Sequence, residues 1–88
     1  MQEHMVMVKN KLGLHARPAA IFVQTAGKFK SKVKLIKDDQ EVDGKSIMGI
    51  MTLAASSGTS IKIIVDGVDE GEAVSALQAL FLNGFGEE

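Results

Sequence analysis

The positions of apolar and polar residues along the chain predict four short β-strands. The predicted strands cover residues 5–8, 32–37, 40–43 and 60–65. Residues 32–37 alternate polar and apolar side chains, which is typical of a strand with one buried face. Asp38 and Asp39 favour a turn, so residues 40–43 are expected to pair back as a hairpin. The sheet is therefore expected to be mainly antiparallel.

Two helices are predicted between these strands. The first begins near Ala16 and ends at Gly27, and Pro18 fits its first turn, where a backbone N–H would have no intrahelical acceptor. Ser46 is a favourable N-cap residue for a short second helix.

A third helix completes the predicted fold. Asp69 opens it, Glu72 three residues later suggests a variant of the capping box, and Asn83 with Gly84 ends it. The order β-α-β-β-α-β-α predicts an α+β fold, an open-faced β-sandwich in which three helices cover one face of a four-stranded sheet. The 88 residues are expected to form a single domain, because so short a chain has no room for a second core.

The net charge of −1 conceals a strong asymmetry along the chain. Residues 1–37 contain eight Lys and Arg against one acidic residue, a balance of +7, and residues 38–88 contain two Lys against ten acidic residues, a balance of −8. A function that handles anions is therefore expected in the N-terminal part. Four Phe with no Trp or Tyr offer little for base stacking, which argues against direct binding of nucleic acid.

Several classes of protein are disfavoured by what the sequence lacks. There is no Cys, so a disulfide framework and a cysteine-ligated metal site are impossible, and a reducing cytoplasm is the expected location. Two His without thiols make a poor ligand set, so we expect no metal and no other cofactor. No apolar run approaches the roughly 20 residues that span a bilayer, so no membrane insertion is expected.

The most informative segment is the run Gly-Leu-His-Ala-Arg-Pro-Ala at residues 13–19. His15 falls at a predicted helix N-terminus, where free N–H groups attract anions and disfavour the imidazolium form. Arg17 adds a charge whose geometry suits phosphate. Together these features indicate a histidine that accepts a phosphoryl group and holds it as a phosphoramidate. The alternative is that His15 only caps the helix and Arg17 is a solvated charge; His4, without such neighbours, is assigned to a frayed or strand-edge terminus.

The run at residues 13–19 closely resembles the active-site signature of the HPr family, the histidine-containing phosphocarriers of the bacterial sugar phosphotransferase system. A second run, Gly-Lys-Ser-Ile-Met-Gly-Ile-Met at residues 44–51, resembles the regulatory serine segment of the Gram-positive type of this family. The resemblance covers nearly the whole chain, including the Phe-Gly-Glu ending at residues 85–87.

The resemblance implies a role for each residue of the first motif. His15 takes a phosphoryl group on Nδ1 from phospho-Enzyme I and passes it to the IIA components of sugar permeases. Arg17 stabilises the phosphate and the transition state, and the backbone amides of Ala16 and Arg17 donate hydrogen bonds to the phosphate. Such a carrier depends on partner enzymes, so we expect no turnover by the domain alone, and we expect a monomer.

The second motif implies regulation. Ser46 matches the serine that HPr kinase/phosphorylase modifies, and the resulting phospho-form is expected to bind the catabolite control protein CcpA as a corepressor. A phosphate at a helix N-cap is favoured by the helix dipole, so the modification is not expected to unfold the domain. The alternative is that Ser46 is a plain N-cap residue.

The resemblance also implies an exposed surface that receives partner proteins. It consists of Ala20, Gln24, Ile47, Met48 and Met51. At helical spacing, however, Ile47 and Met51 could instead join Ile50 in a buried stripe.

Two alternative functions remain open at this point. One is a purely regulatory corepressor, like the HPr-like catabolite proteins that lack the histidine, and His15 argues against it. The other is a small nucleic-acid-binding domain that uses the basic N-terminal part. The chain also departs from the family pattern at Leu12, where many members carry Ser or Asn, and at Ala54, where many carry Gly.

Overall fold

A computed structural model describes residues 1–87 of the chain. In chain order the elements are β1 (Gln2–Met7), α1 (Ala16–Ala26), β2 (Lys32–Lys37), β3 (Gln40–Asp43), α2 (Ile47–Thr52), β4 (Ser60–Asp66) and α3 (Glu70–Leu82), followed by a single 3₁₀ turn at Gly84–Gly86. The predicted order β-α-β-β-α-β-α is confirmed, as are the bounds of β2 and β3.

The four strands form one sheet in the order β1-β4-β2-β3, and every neighbouring pair is antiparallel. Ile63 of β4 lies opposite His4 of β1 on one side and opposite Leu35 of β2 on the other. The helices cover one face of this sheet, which confirms the open-faced α+β architecture.

The core lies between the sheet and the helices. The sheet contributes Leu35, Ile61 and Ile63 to this core, and all three are completely buried. Phe81 of α3 is the aromatic centre of the core, and its ring centroid lies 6.0 Å from that of Phe22 in α1. The α1 and α3 helices are thereby joined over the central strands, which holds the N-terminal end of α1 in a fixed place.

The structure corrects the prediction for the first strand. The strand β1 runs from Gln2 to Met7 rather than from Met5 to Val8. His4 is a half-buried member of this edge strand, which agrees with the strand-edge alternative and not with the frayed one. Polar residues on the core side, Gln2 and His4, hide the apolar alternation from which strands are recognised. Backbone pairing with β4 nevertheless extends the strand through all six residues.

The predicted capping box at the start of α3 is wrong. Asp69 is the N-cap residue, but its side chain makes no capping hydrogen bond. Its carboxylate instead accepts hydrogen bonds from the Lys30 amide at 2.8 Å, the Ser31 amide at 3.0 Å and the Ser31 hydroxyl. Glu70, rather than Glu72, accepts a bond from a preceding backbone amide. A tertiary contact thus competes successfully with the local capping pattern.

Within residues 1–87, none of the helices has both the length and the apolar character needed to cross a bilayer.

Candidate functional site

His15 lies at the N-terminal end of α1 with its side chain free of any capping role. Its backbone is extended, with φ −79° and ψ −171°, and its side chain makes no capping hydrogen bond. Its carbonyl accepts the first helical bond from the Ala19 amide at 3.0 Å. The amides of Ala16 and Arg17 precede that bond and therefore have no acceptor within the helix. The alternative in which the His15 side chain caps the helix is therefore wrong.

The loop before His15 is held by close contact with the segment after α2. The Leu14 amide donates a hydrogen bond to the Ala55 carbonyl at 2.9 Å. Gly13 has a φ of +70°, and a Cβ at this position would lie 2.3 Å from the same carbonyl oxygen. Only glycine permits this approach, which places His15 against the residues that follow α2.

The imidazole of His15 contacts a carboxylate that sequence reasoning did not identify. Nε2 of His15 lies 3.1 Å and 3.0 Å from the two side-chain oxygens of Glu87. The side-chain amide of Asn10 donates to Glu87 at 2.9 Å and to the Gly13 carbonyl at 2.6 Å. Arg17 completes the group, with Nη1 at 3.7 Å from the Glu87 carboxylate.

The segment after α3 turns sharply to bring Glu87 to this place. Gly84, Phe85 and Gly86 have φ values of +59°, +57° and +73°. Phe85 is buried, and its ring packs edge-on against Phe81 with the centroids 4.9 Å apart. The paired glycines were the only local signal of this turn, and nothing in the sequence indicated that it leads to a histidine 72 residues earlier.

The carboxylate of Glu87 is held in its ionised form. The hydrogen bond with His15 lowers the pKa of Glu87 below its usual value, and the bond from Asn10 and the charge of Arg17 act in the same direction against partial burial. The side chain of Glu87 is only 13% exposed, whereas that of Arg17 is 66% exposed. The site therefore combines a largely buried anion on one side of His15 with an exposed cation at the helix end.

A shallow cleft of about 270 Å³ opens beside the imidazole. It is lined by Leu12, Leu14, His15, Met51, Ala54, Ala55 and Ser56. Met51 belongs to α2, so the fold brings the second sequence motif next to the first. The departure at Leu12 places an exposed apolar side chain on the rim of this cleft.

Ser46 caps α2 as the sequence predicted. Its hydroxyl oxygen accepts a hydrogen bond from the Gly49 amide at 3.0 Å, and its side chain is half-buried. The plain-cap role is thus present in the structure, and it is compatible with modification because a phosphate oxygen can accept the same bond.

Four of the five residues of the predicted partner surface are exposed. Ile47, Met48 and Met51 are 40%, 71% and 39% exposed, and only Ile50 of α2 is buried. The alternative of a buried stripe that includes Ile47 and Met51 is therefore wrong. On α1, Gln24 is exposed and Ala20 is half-buried; both remain predicted partner contacts.

The departure at Ala54 has a structural consequence. Ala54 has a φ of +50°, in the left-handed region that favours glycine. It follows Leu53, the C-cap residue of α2, and lines the cleft beside His15. Alanine therefore adopts a left-handed backbone conformation at this position, which strains the backbone locally.

Among residues 1–87 there is no cluster of three or more His, Cys, Asp or Glu side chains able to hold a metal ion.

Comparison with known proteins agrees with this geometry. A family model described as the PTS HPr component phosphorylation site matches residues 2–83. The phosphocarrier protein HPr of Xylella fastidiosa (strain 9a5c) is 53% identical over 88 residues, which cover 100% of this chain and 99% of the relative.

Solved structures show the same fold. HPr-C-His from Thermoanaerobacter tengcongensis superposes with a TM-score of 0.96 at 53% identity, covering 100% of this chain and 99% of that one. Crh, the catabolite repression protein of Bacillus subtilis, has a TM-score of 0.74 at 49% identity with 94% of each chain covered, and its structure is described as a dimer with a swapping domain.

A small α+β domain with a histidine at a helix N-terminus, whose side chain does not cap the helix, has the architecture of a phosphoryl carrier. The chain belongs to the HPr family, the phosphocarriers of the phosphotransferase system.

Proposed function

We propose that His15 accepts a phosphoryl group on Nδ1 from phospho-Enzyme I and passes it to IIA components of sugar permeases. The observation that carries this proposal is the position of the imidazole, which stands at the open end of α1 with Arg17 beside it and is not used as a cap. Such an end binds anions through free amides and the positive end of the helix dipole.

The chemistry asks little of the carrier besides position and charge. Nδ1 attacks phosphorus while the donor's bond to phosphorus breaks, and charge on the phosphoryl oxygens is stabilised by the Ala16 and Arg17 amides and by the Arg17 guanidinium. The partner proteins supply the rest of each site. The carrier therefore turns over nothing by itself, and it acts in the cytoplasm where its donor and acceptors meet.

The two histidines provide a matched test of the site. The protein is incubated with phosphoenolpyruvate and Enzyme I, and the bound phosphate is located by mass mapping under conditions that preserve phosphohistidine. We expect His15→Ala to abolish labelling and His4→Ala to retain it, with both variants folded. Acid-labile phosphate on His15→Ala would contradict the assignment.

We propose that Ser46 is the regulatory phosphorylation site for HPr kinase/phosphorylase. Ser46 caps α2, whose exposed residue Met51 shares the cleft with His15, so a dianion on Ser46 adds negative charge to the face that docks Enzyme I. The expected effect is slower phosphorylation of His15 without unfolding, because an anion at a helix N-cap is favourable.

Ser46→Asp tests this electrostatic effect. Aspartate is also a good N-cap residue, so the fold is preserved while one negative charge is added. We expect initial rates of labelling by Enzyme I to fall, and Ser75→Asp, an exposed change on α3, to leave them near the wild-type value. Equal rates for Ser46→Asp and the wild type would contradict the mechanism.

A second function, as a corepressor in the serine-phosphorylated form, is favoured by the similarity to Crh of Bacillus subtilis. We propose that the phospho-form binds CcpA through α2 and its exposed residues Ile47, Met48 and Met51, with Ala20 and Gln24 extending the surface. Calorimetric titration of CcpA with serine-phosphorylated and unmodified protein tests it, and equal affinities would exclude the role.

We propose that the chain acts as a monomer. All six residues of β1 pair with β4 of the same chain, so the sheet is completed without a strand from a second copy. The alternative is a dimer with a swapped domain, as described for Crh. Analytical ultracentrifugation over a range of protein concentrations is expected to give the mass of one chain throughout, and a dimer mass at low concentration would overturn the assignment.

A further inference from the structure

We propose that Glu87 is a positioning residue for phosphoryl transfer: its carboxylate accepts a hydrogen bond from Nε2–H of His15, keeps the reactive lone pair on Nδ1 and balances the charge that the ring acquires. The role rests on the proposed transfer at His15. The contact itself, however, is a property of the free protein and is measurable without any partner.

The geometry determines which ring nitrogen carries the proton. Both oxygens of Glu87 lie within hydrogen-bond distance of Nε2 of His15, at 3.1 Å and 3.0 Å. An ionised carboxylate only accepts hydrogen bonds, so Nε2 must be the donor. In the neutral imidazole the other nitrogen then carries the lone pair. Glu87 thereby directs the nucleophilic electrons to Nδ1.

Glu87 is held in place by the fold rather than by the histidine alone. Asn10 is almost fully buried and donates to the Glu87 carboxylate at 2.9 Å. The turn at Gly84–Gly86 has three successive residues with positive φ, one of them the non-glycine Phe85, whose ring is buried against Phe81. Such backbone conformations persist only where the surrounding structure enforces them. The carboxylate is accordingly preorganised before any phosphoryl donor binds.

The charge balance of the transfer explains why a carboxylate is useful at this position. The lone pair of Nδ1 forms the bond to phosphorus, and the electron pair of the donor's broken bond remains on the donor. The Nε2 proton stays in place, so the imidazole ring of His15 becomes cationic next to Glu87. Passing the phosphoryl group to an acceptor reverses these changes and restores the neutral ring.

A fixed carboxylate also repels the incoming phosphoryl group, and Arg17 offsets this repulsion. Its Nη1 lies 3.7 Å from the Glu87 carboxylate, and its side chain is largely exposed. Arg17 is therefore able to turn from Glu87 toward the phosphoryl oxygens when these arrive, while Glu87 keeps its bond to the far side of the ring. Glu87 thus stabilises the imidazole ring, and Arg17 stabilises the phosphoryl group.

Three variants separate this role from a structural one. Glu87→Ala removes the acceptor, Glu87→Gln keeps an acceptor oxygen without the charge, and Glu72→Gln removes one negative charge from an exposed site on α3 as a control. Nitrogen-15 NMR of the imidazole identifies the protonated nitrogen and shows whether its proton is protected from exchange with water. Rates of labelling by Enzyme I are then measured over a range of Enzyme I concentrations.

In the wild type and in Glu72→Gln we expect a protected proton on Nε2. In Glu87→Gln this signal should persist, and in Glu87→Ala it should be lost to rapid exchange. The maximal labelling rate of Glu87→Ala should fall about tenfold, the lower end of the range seen when the partner that orients a metal-binding histidine is removed. The Enzyme I concentration at half-maximal rate should change little. The maximal labelling rate of Glu87→Gln should lie between those of the wild type and Glu87→Ala.

The outcomes also separate this role from the proposed function. A wild-type ring protonated on Nδ1, or an unprotected Nε2 proton, overturns the role of Glu87 even if His15 is labelled. Equal maximal rates for Glu87→Ala and Glu72→Gln overturn it as well. If the wild type shows the protected proton but is never labelled, the contact stands and the phosphocarrier function fails.

Discussion

At the scale of single residues, the neighbours of a side chain decide what it does. His4 and His15 are the two histidines of the chain. His4 is half-buried in an edge strand opposite Ile63, so its surroundings are those of a packing residue. His15 lies at a helix end, where its imidazole contacts Glu87 and Arg17 lies beside the same carboxylate. The chemistry therefore belongs to the position and not to the residue type.

Ala54 offers a stability prediction at this scale. Its φ of +50° places an L side chain in the left-handed region, where glycine has no steric penalty. Replacing Ala54 by glycine should raise the free energy of unfolding by about 1 kcal/mol, the left-handed penalty less the extra backbone entropy of glycine. Urea unfolding followed by circular dichroism measures the change.

The control for Ala54→Gly makes the same chemical change in a helix. Ala79 is an exposed residue of α3, where glycine is expected to cost about 1 kcal/mol. The two variants should therefore move the urea midpoint in opposite directions. A loss of stability in Ala54→Gly similar to that in Ala79→Gly would show that the backbone at residue 54 is unstrained.

At the scale of elements, the end of one element often depends on another. The N-terminus of α3 and the loop before β2 are tied by the Asp69 carboxylate, which binds Lys30 and Ser31. The hydrogen bond from the Ser31 hydroxyl is the largest contribution to lowering the pKa of Asp69 from 3.8 to about 2. This set of hydrogen bonds from Lys30 and Ser31 to Asp69, the Asp69 clamp, therefore persists into strongly acidic solution.

Acid dependence of stability tests this clamp. Because the pKa of Asp69 is lower in the folded chain, its ionised form stabilises the fold fully above the unfolded value of 3.8, and that contribution is lost as the pH falls through about 2. The wild type should exceed Asp69→Asn in unfolding free energy at pH 7, and the difference should shrink between about pH 4 and pH 2. Urea unfolding at a series of pH values measures it.

Asp39→Asn is the matched change for this experiment. Asp39 is exposed in the turn between β2 and β3, so its replacement removes one negative charge without removing the clamp. The pH-dependent difference should be larger for Asp69→Asn than for Asp39→Asn. A difference from the wild type that stays constant from pH 7 to pH 2 in Asp69→Asn would contradict the predicted linkage.

At the scale of the whole molecule, folding mixes charges that the chain keeps apart. The open face of the sheet pairs Lys32 with Asp66 and Lys34 with Asp43, each joining the basic segment to the acidic one. Lys34 also lies 3.3 Å from Glu41. The split between residues 1–37 and 38–88 is thus partly offset across the sheet.

The core connects the fold to the site through α3. Phe81 contacts Phe22 of α1 and Phe85 of the turn that carries Glu87. Its replacement by alanine should lower the free energy of unfolding by about 3–5 kcal/mol, the range for deleting a buried Phe ring. This is a large share of the roughly 5–15 kcal/mol that stabilises a domain, so Phe81→Ala should be partly unfolded in mild urea.

Leu82→Ala is the control on the same helix. Leu82 is 61% exposed, so its truncation should change stability by less than about 0.5 kcal/mol. Unfolding free energies from urea titration compare the two variants. Similar losses for Phe81→Ala and Leu82→Ala would mean that α3 does not depend on the aromatic core.

Local patterns in the sequence were sufficient for much of the fold. Residues 32–37 and 40–43 were predicted with the bounds that the structure has, because alternation and the Asp38-Asp39 turn are short-range signals. The start of α1 and the N-cap at Ser46 were predicted for the same reason, since a helix end depends on a few consecutive residues. The place of His15 at a helix end could therefore be predicted from the sequence alone.

Tertiary structure alone decided which distant groups meet at the site. Glu87 reaches His15 only after α3 has packed and the turn at Gly84–Gly86 has reversed the chain, and Asn10 joins them from the other end of the sequence. Asp69 was assigned to a local capping box, yet it binds a loop 38 residues away. Helix capping and strand alternation depend on a few consecutive residues. These contacts instead depend on the packing of the whole chain, which cannot be predicted from any short segment of the sequence.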